Sequence, residues 1–192
     1  MLSIGARKVV VIGISTGGVA ALERVFEKLP ADIPPILVVI HMPPGFTKLM
    51  AQRFDEMYKF PVKEAQTGDI IKQGRVLIAP GGLHMKIVLS RGRPAIECFD
   101  GPKIHYVIPA AEILFESAAE VLGGKAVGVI MTGMGADGAA GLLKMRKAGA
   151  ATIGQNRETC AIYGMSKVAK DLGAVEHEIP LSEIADKIMA LS

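Results

Sequence analysis

Ser15 lies at the centre of the spacing Gly13-x-Ser15-x-Gly17, which directly follows a run of β-branched residues at 9–12. The run predicts a buried strand, and the pattern after Gly18 predicts an amphipathic helix. Glycines on both sides of a serine allow the sharp strand-to-helix turn of a nucleophile elbow, which exposes the hydroxyl beside backbone N–H groups. The spacing therefore indicates that Ser15 is an attacking hydroxyl.

Other interpretations also fit part of this turn. A dinucleotide-binding turn needs Gly-x-Gly-x-x-Gly and an acidic residue near the end of the second strand. Here Ser15 occupies the position of the second glycine, and the next predicted strand ends at His41. A Walker loop is excluded because no Gly-Lys-Ser/Thr ends the turn. The alternative that Ser15 only caps the helix stays open.

A base and an acid for Ser15 follow two further predicted strands. His41 comes after the apolar run 36–40, and Asp137 follows the run 126–131. The strand–helix–strand pattern of the first two strands predicts a parallel pair, which brings such residues to the carboxyl edge of the sheet. A serine hydroxyl needs an imidazole to take its proton and a carboxylate to orient that imidazole. We predict a Ser–His–Asp triad.

Structural alternatives remain for both partners. A histidine after a strand is often an ordinary loop residue, and an aspartate before a helix is often its cap. Neither His41 nor Asp137 is assigned by its own position alone; the assignment depends on all three side chains meeting at one edge.

The elements that position these residues predict an α/β fold. Short strand-like segments separated by turn residues predict an antiparallel hairpin region around residues 75–99. These segments are 62–66, 75–79, 84–89 and 95–99. The predicted helices are 18–29, 46–58, 109–122, a segment ending near 148, 164–172 and 182–190.

Length and composition limit the class of protein. The chain has 192 residues, of which 50% are hydrophobic, enough for one well-buried domain. A net charge of +3 and an aromatic content of 5% argue against a nucleic-acid partner. No apolar run reaches the roughly 18–20 residues that span a bilayer, and residues 1–7 lack the apolar core of a secretion signal.

Neither a metal nor a cofactor is predicted. The two cysteines, Cys98 and Cys160, are far apart without metal-ligand spacing, and we expect small buried thiols in a reducing cytoplasm. The histidines His84, His105 and His177 form no HxH or HExxH pattern.

Five segments and a long C-terminal stretch resemble the catalytic domain of the chemotaxis protein-glutamate methylesterases. They are GISTGG (13–18), HMPPGFT (41–47), IAPGGLHM (78–85), DGP (100–102), VGVIMTGMGADGAAGLLKMRKAGA (127–150) and IGQNRETCAIYGM (153–165). The resemblance implies a three-layer α/β/α sandwich with a mostly parallel, doubly wound sheet. It also implies a serine hydrolase that removes methyl groups from glutamate esters on the signalling helices of methyl-accepting chemotaxis receptors. Methanol is released, and deamidation of receptor glutamines is implied as well.

Site residues are carried over by position. Ser15 matches the nucleophile, His41 the general base and then acid, and Asp137 its orienting partner. The N–H of Thr16 after the nucleophile, and by resemblance that of Met134, match the oxyanion donors. Losing one such donor typically costs about 100- to 1000-fold in turnover.

Two features depart from the family pattern. Family members usually carry a phosphorylatable receiver domain, whereas only seven residues precede the first predicted strand. We expect a single catalytic domain over residues 1–192, and whether it is an excised domain or lacks this control stays open. The segment 105–112 also lacks the Arg, Ser and Asp expected around Pro109. We expect this departure to affect substrate selection.

The leading prediction is ester hydrolysis through an acyl-enzyme on Ser15. One alternative is a non-catalytic receptor-binding module that grips a helix in the same cleft. Another is nucleotide binding at the glycine-rich turn.

Overall fold

A computed structural model describes residues 7–192, which contain nine strands. Residues 1–6 lie outside this range. The predictions about a secretion signal and about the start of the domain concern these residues. The strands are β1 (Val9–Ile14), β2 (Ile36–Ile40), β3 (Val62–Glu64), β4 (Val76–Ile78), β5 (His84–Ser90), β6 (Arg93–Phe99), β7 (Ala126–Ile130), β8 (Ala151–Gln155) and β9 (His177–Ile179).

Helices alternate with the strands of the main sheet. They are α1 (Gly18–Lys28), α2 (Phe46–Met57), α3 (Ala111–Leu122), α4 (Ala139–Lys147), α5 (Met165–Asp171) and α6 (Ile184–Leu191). Short 3₁₀ turns at Gly123–Lys125 and Leu181–Glu183 precede β7 and α6. Among residues 7–192, no helix has the length and apolarity that crossing a membrane requires.

The main sheet has the order β3-β4-β2-β1-β7-β8-β9, and every neighbouring pair is parallel. Such a sheet is buried on both faces, since helices cover each of them. Val10 and Ile12 of β1 pack into a core with α1, α2 and α6, whereas Val9 and Val11 pack into a second core with α3, α4 and α5. The predicted three-layer, doubly wound fold is confirmed.

The predicted hairpin region is only partly right. Strands β5 and β6 form an antiparallel pair from His84–Phe99 to Ser90–Arg93, and β5 lies against α3 through an Ile87 N–H bond to the Ser117 hydroxyl. The segments predicted at 62–66 and 75–79 instead contain β3 and β4, which are parallel members of the main sheet.

The reason for this difference lies in the connection between β3 and β4. Its residues pair with the hairpin, where the Ile71 N–H donates to the Pro94 carbonyl and the Ile96 N–H to that of Asp69. This connection is long enough to bring the chain back to the end of the sheet at which β3 begins. The strands β3 and β4 therefore run parallel without a helix between them.

The first strand lies where the winding of the sheet changes direction. β1 pairs with β2 on one side and with β7 on the other. Open parallel sheets bind ligands at the carboxyl ends of strands beside such a switch point. Ser15, His41 and the loop that contains Asp137 follow β1, β2 and β7, so all three belong to this edge.

Candidate active site

Ser15 follows β1 in a turn that leads directly into α1. Gly17 has a left-handed φ of 79°, and a Cβ at this position would lie 2.6 Å from the Ala161 Cβ. The Ser15 N–H donates to the Thr132 carbonyl at 2.9 Å, and its carbonyl accepts from Gly18 N–H at 2.7 Å. Among residues 7–192, no side chain forms a capping hydrogen bond at the start of α1. The alternative that Ser15 serves as a helix cap is therefore wrong, and its hydroxyl is available for other contacts.

His41 comes directly after β2 and contacts Asp137. Its N–H donates to the Ile14 carbonyl at 3.2 Å, which fixes the backbone beside the end of β1. Its Nε2 lies 2.7 Å from Asp137 Oδ2, with side-chain exposures of 10% for His41 and 3% for Asp137. With Nε2–H donated to the carboxylate, Nδ1 is the proton acceptor of the ring.

Asp137 is held by the beginning of a helix that is distant in sequence. Its Oδ2 accepts from the Ala111 N–H at 2.6 Å, and its Oδ1 accepts from the Glu112 N–H at 3.1 Å. These are the first residues of α3, whose unpaired N–H groups and dipole stabilise a negative charge. Asp137 does not cap the following helix α4, where Gly138 is the N-cap without a side-chain bond. The carboxylate is thus fixed on two sides while it faces His41.

Ser15 and His41 line one cavity of about 230 Å³. Within residues 7–192, neither the Ser15 hydroxyl nor His41 Nδ1 takes part in a hydrogen bond. Catalytic hydrogen bonds are often long in unliganded enzymes and shorten when substrate is bound. The arrangement leaves a free hydroxyl and a free ring nitrogen on the walls of one cleft.

Two backbone N–H groups near Ser15 are also free. In the described part of the chain, neither the Thr16 N–H nor the Met134 N–H donates a hydrogen bond to a protein acceptor. Both belong to loops at the carboxyl edge, and Gly133 brings these loops together. A Cβ at Gly133 would lie 2.7 Å from Ser15 Cβ and 2.3 Å from Met165 Sδ, so only glycine permits this approach.

Thr132 forms hydrogen bonds to three separate segments of the chain around Ser15. Its hydroxyl donates to the Thr16 carbonyl at 2.9 Å and accepts from the Ile162 N–H at 3.0 Å. Its own N–H donates to Gln155 Oε1 at 2.9 Å. Sequence reasoning did not single out Thr132 or Gly133, although both lie in the motif after β7 that contains Asp137. Thr132 fixes the turn that carries the Thr16 N–H.

Glu112 lies beside Asp137 and was also missed by the sequence analysis. Its side chain is buried, and burial raises the pKa of its carboxyl group above the usual value. The negative charges of Glu116 and Asp137 raise this pKa further, whereas His105 and the Gly138 N–H lower it. The sequence signal for this proximity was weak, because a 3₁₀ turn and strand β7 separate α3 from the Asp137 loop.

The groups found at this edge of the sheet are those that acyl transfer uses. A free hydroxyl, an imidazole oriented by a buried carboxylate and two free N–H groups are the groups that such chemistry requires. The structure brings Ser15, Thr16 and His41 to one cleft and joins His41 to Asp137. The Met134 side chain is exposed, at 71%.

Comparison with known proteins gives one consistent family. The family model described as CheB methylesterase matches residues 10–188. A protein-glutamate methylesterase/protein-glutamine glutaminase of Agrobacterium fabrum is 48% identical over 186 residues, and one of Bdellovibrio bacteriovorus is 51% identical over 178 residues. These matches cover 97% and 93% of this chain but only 53% and 50% of the relatives. The chain therefore spans about half the length of the curated relatives it matches.

A solved structure agrees over the whole fold. The crystal structure of the Thermotoga maritima CheB methylesterase catalytic domain superposes with a TM-score of 0.94 at 39% sequence identity. The match covers 98% of this chain and 100% of that domain. With a family model that extends over nearly all of the described residues, the chain belongs to the CheB methylesterase family.

Proposed function

We propose that this chain hydrolyses the γ-methyl esters of glutamate residues on the signalling helices of chemotaxis receptors. The observation that carries the proposal is the Nε2–Oδ2 hydrogen bond of His41 and Asp137, on the wall of the cleft that contains Ser15. Relatives named protein-glutamate methylesterase/protein-glutamine glutaminase support the substrate. The products are the free glutamate side chain and methanol.

In the proposed reaction, the Ser15 hydroxyl oxygen attacks the ester carbonyl while its proton passes to His41 Nδ1. Asp137 stabilises the imidazolium that forms, and the N–H groups of Thr16 and Met134 bind the oxyanion. The tetrahedral intermediate collapses, and methanol leaves with the proton from His41. Water then attacks the acyl-enzyme with His41 as base, which releases the carboxylate and restores Ser15.

The same cycle accounts for deamidation of glutamine. Ammonia replaces methanol as the leaving group, and the protonated ring of His41 supplies the proton that the departing nitrogen requires. Because both substrates pass through the same acyl-enzyme, we expect Ser15, His41 and Asp137 to be needed for both activities.

A second cavity supports a protein substrate. It has a volume of about 450 Å³ and shares His41 with the Ser15 cavity, while Lys103 and Tyr106 form part of its rim. The Tyr106 side chain is 94% exposed. Exposed aromatic groups beside a cleft are typical of protein-contact surfaces. We propose that the receptor helix lies across this cavity while its esterified side chain enters the Ser15 cavity.

The proposal is tested by measuring methanol release from methylated receptor signalling helices. We expect release by the folded chain and none from the same helices without methyl esters. A fluorophosphonate should also label one serine, and peptide mapping should place the label on Ser15. Folded protein that releases no methanol and leaves Ser15 unlabelled would favour the non-catalytic binding module.

Replacing Thr132 by Val should lower kcat by about 10- to 100-fold, because a loosened turn misplaces the Thr16 N–H by a fraction of an ångström. The substitution keeps the shape of the side chain but removes the bonds to the Thr16 carbonyl and the Ile162 N–H. We expect a loss of about 1–2 kcal/mol in the free energy of unfolding. Steady-state kinetics and thermal unfolding measure the two effects.

The matched control is Thr67→Val. The Thr67 hydroxyl makes the same pair of bonds, donating to the Cys98 carbonyl at 3.0 Å and accepting from its N–H at 2.9 Å, but next to the hairpin. We expect kcat to stay at the wild-type value in this control. An unchanged kcat in Thr132→Val would contradict the role given to Thr132.

A further inference from the structure

Asp137 also belongs to a group of three metal-ligating side chains. One ring nitrogen of His105 and one carboxylate oxygen each of Glu112 and Asp137 lie within 4.8 Å of one another. His105 is exposed, whereas Glu112 and Asp137 are buried. The three come from the loop before α3, from its first turn and from the loop after β7, which is why no sequence spacing indicated them.

The Glu112 carboxylate supplies an independent indication of a ligand site at this group. Its side chain is 7% exposed, and within the described residues its Oε2 atom is buried without a hydrogen-bond partner. A buried carboxylate oxygen without a donor costs free energy, and such atoms are rare in folded proteins. A bound cation would satisfy this oxygen.

A closed turn places His105 beside the two carboxylates. The N–H of Ile104 donates to the Val107 carbonyl at 3.1 Å, and the Val107 N–H donates back at 3.0 Å. His105 and Tyr106 form the tip of this turn, with φ angles of 50° and 67°. These bonds define the backbone of the turn, and the exposed imidazole ring is free to adjust.

We propose that His105, Glu112 and Asp137 form a reversible binding site for a divalent transition-metal ion of the zinc class. One imidazole and two carboxylates are ligands that Zn²⁺ accepts, and water completes its coordination. Metal–ligand distances of about 2.0–2.2 Å require the donor atoms to approach by about 1 Å. The exposed ring of His105 can make this movement.

Occupation of the site inhibits the esterase, a consequence that rests on the proposed function. Asp137 Oδ2 already accepts from His41 and from the Ala111 N–H. A dication bound to the same carboxylate competes with His41 Nε2 for Asp137 Oδ2, and a ring that loses this hydrogen bond is no longer held in its orientation for catalysis. The binding itself does not depend on any catalytic role.

Isothermal titration with ZnCl₂ in a non-chelating buffer tests the binding. We expect one Zn²⁺ per chain for the wild-type protein, and at least about tenfold weaker binding for His105→Ala and for Glu112→Gln. His177→Ala removes a histidine from β9, an edge strand of the main sheet that contributes no residue to the cluster, and should bind like the wild type. Mg²⁺ should bind much more weakly, because it prefers oxygen ligands and retains its waters.

Methanol release measured with and without Zn²⁺ tests the inhibition. We expect Zn²⁺ to suppress the rate in the wild type and in His177→Ala, with full recovery after addition of EDTA. The rate of His105→Ala, relative to its own metal-free rate, should be at least about tenfold less sensitive.

The outcomes separate the site from the proposed function. Absence of Zn²⁺ binding, or equal binding by His105→Ala and the wild type, would overturn the site. Binding that needs His105 but leaves the methanol rate unchanged would overturn the inhibition. A wild-type chain without esterase activity in metal-free buffer would instead refute the proposed function, while the titration would still decide the site.

Discussion

Replacing Ser15 by Ala should reduce methanol release by about a millionfold, which is the scale seen when a triad nucleophile is removed. The substitution takes away only the attacking oxygen. Neither the Ser15 N–H bond to the Thr132 carbonyl nor the Gly18 N–H bond to the Ser15 carbonyl involves the side chain. We therefore expect an unchanged fold, measured by circular dichroism and thermal unfolding. The rate is measured on methylated receptor helices, as is the loss of fluorophosphonate labelling.

Ser90→Ala is the matched control for this experiment. Ser90 ends the hairpin strand β5 and is exposed, so its hydroxyl is removed far from the carboxyl edge of the main sheet. We expect wild-type methanol release from this variant. Activity of Ser15→Ala within tenfold of the wild type would assign the nucleophile to another group and leave the proposed mechanism without support.

The sequence predicted the parallel layers of the fold well because their signals are local. Continuous apolar runs with several β-branched residues at β1, β2 and β7 identify strands buried on both faces, and each is followed by an amphipathic helix or its turn residues. The three-residue strand β9 was missed. Three extended residues with only partial burial are too few to show a comparable pattern.

The segment from β3 to β4 shows where local reasoning failed. Turn residues at 67–69 indicated a hairpin, and a turn is present there. Its residues pair with β6 rather than closing β3 onto β4, since the Gly68 N–H donates to the Ile96 carbonyl and the Ile96 N–H to that of Asp69. Pairing between segments so distant in sequence leaves no local pattern, so the wrong partner was chosen.

The parallel order of the strands allowed the location of the candidate site to be predicted, but not its detailed contacts. Residues that follow parallel strands must share an edge, which brings Ser15, His41 and Asp137 into one region. The contacts that orient them are tertiary and were not predictable. No spacing showed that the first turn of α3 binds Asp137, or that the Thr132 hydroxyl holds the Thr16 turn. The catalytic roles themselves remain predictions. Mutation of the Asp137 carboxylate tests them independently of the Ser15 variant.

The environment of Asp137 determines what a neutral replacement would do. Both carboxylate oxygens accept hydrogen bonds, Oδ2 from His41 and the Ala111 N–H and Oδ1 from the Glu112 N–H. An asparagine at this position offers one oxygen and one NH₂ group. The NH₂ group must therefore face a donor, either the Glu112 N–H or the pair formed by His41 and Ala111. The first arrangement keeps an acceptor for His41 but removes the negative charge.

Asp137→Asn should lower kcat for methanol release by about 10⁴-fold, the scale of the same change in another triad hydrolase. The uncharged side chain no longer stabilises the imidazolium of His41, and it can also select the wrong ring tautomer. We expect KM to change little, because Asp137 does not contact the ester. Because one buried donor loses its acceptor, the free energy of unfolding should fall by about 1–3 kcal/mol. Rates are therefore compared well below the unfolding temperature of the variant.

Asp171→Asn separates the loss of catalytic charge from a general effect of neutralising an aspartate. Asp171 forms an exposed ion pair with Lys167 at the end of α5, and such pairs contribute at most about 1 kcal/mol. Its kcat should equal that of the wild type. If Asp137→Asn kept more than a tenth of the wild-type kcat while folded, the 2.7 Å contact between Asp137 and His41 would be structural only, because a catalytic carboxylate must matter most when the ring becomes charged.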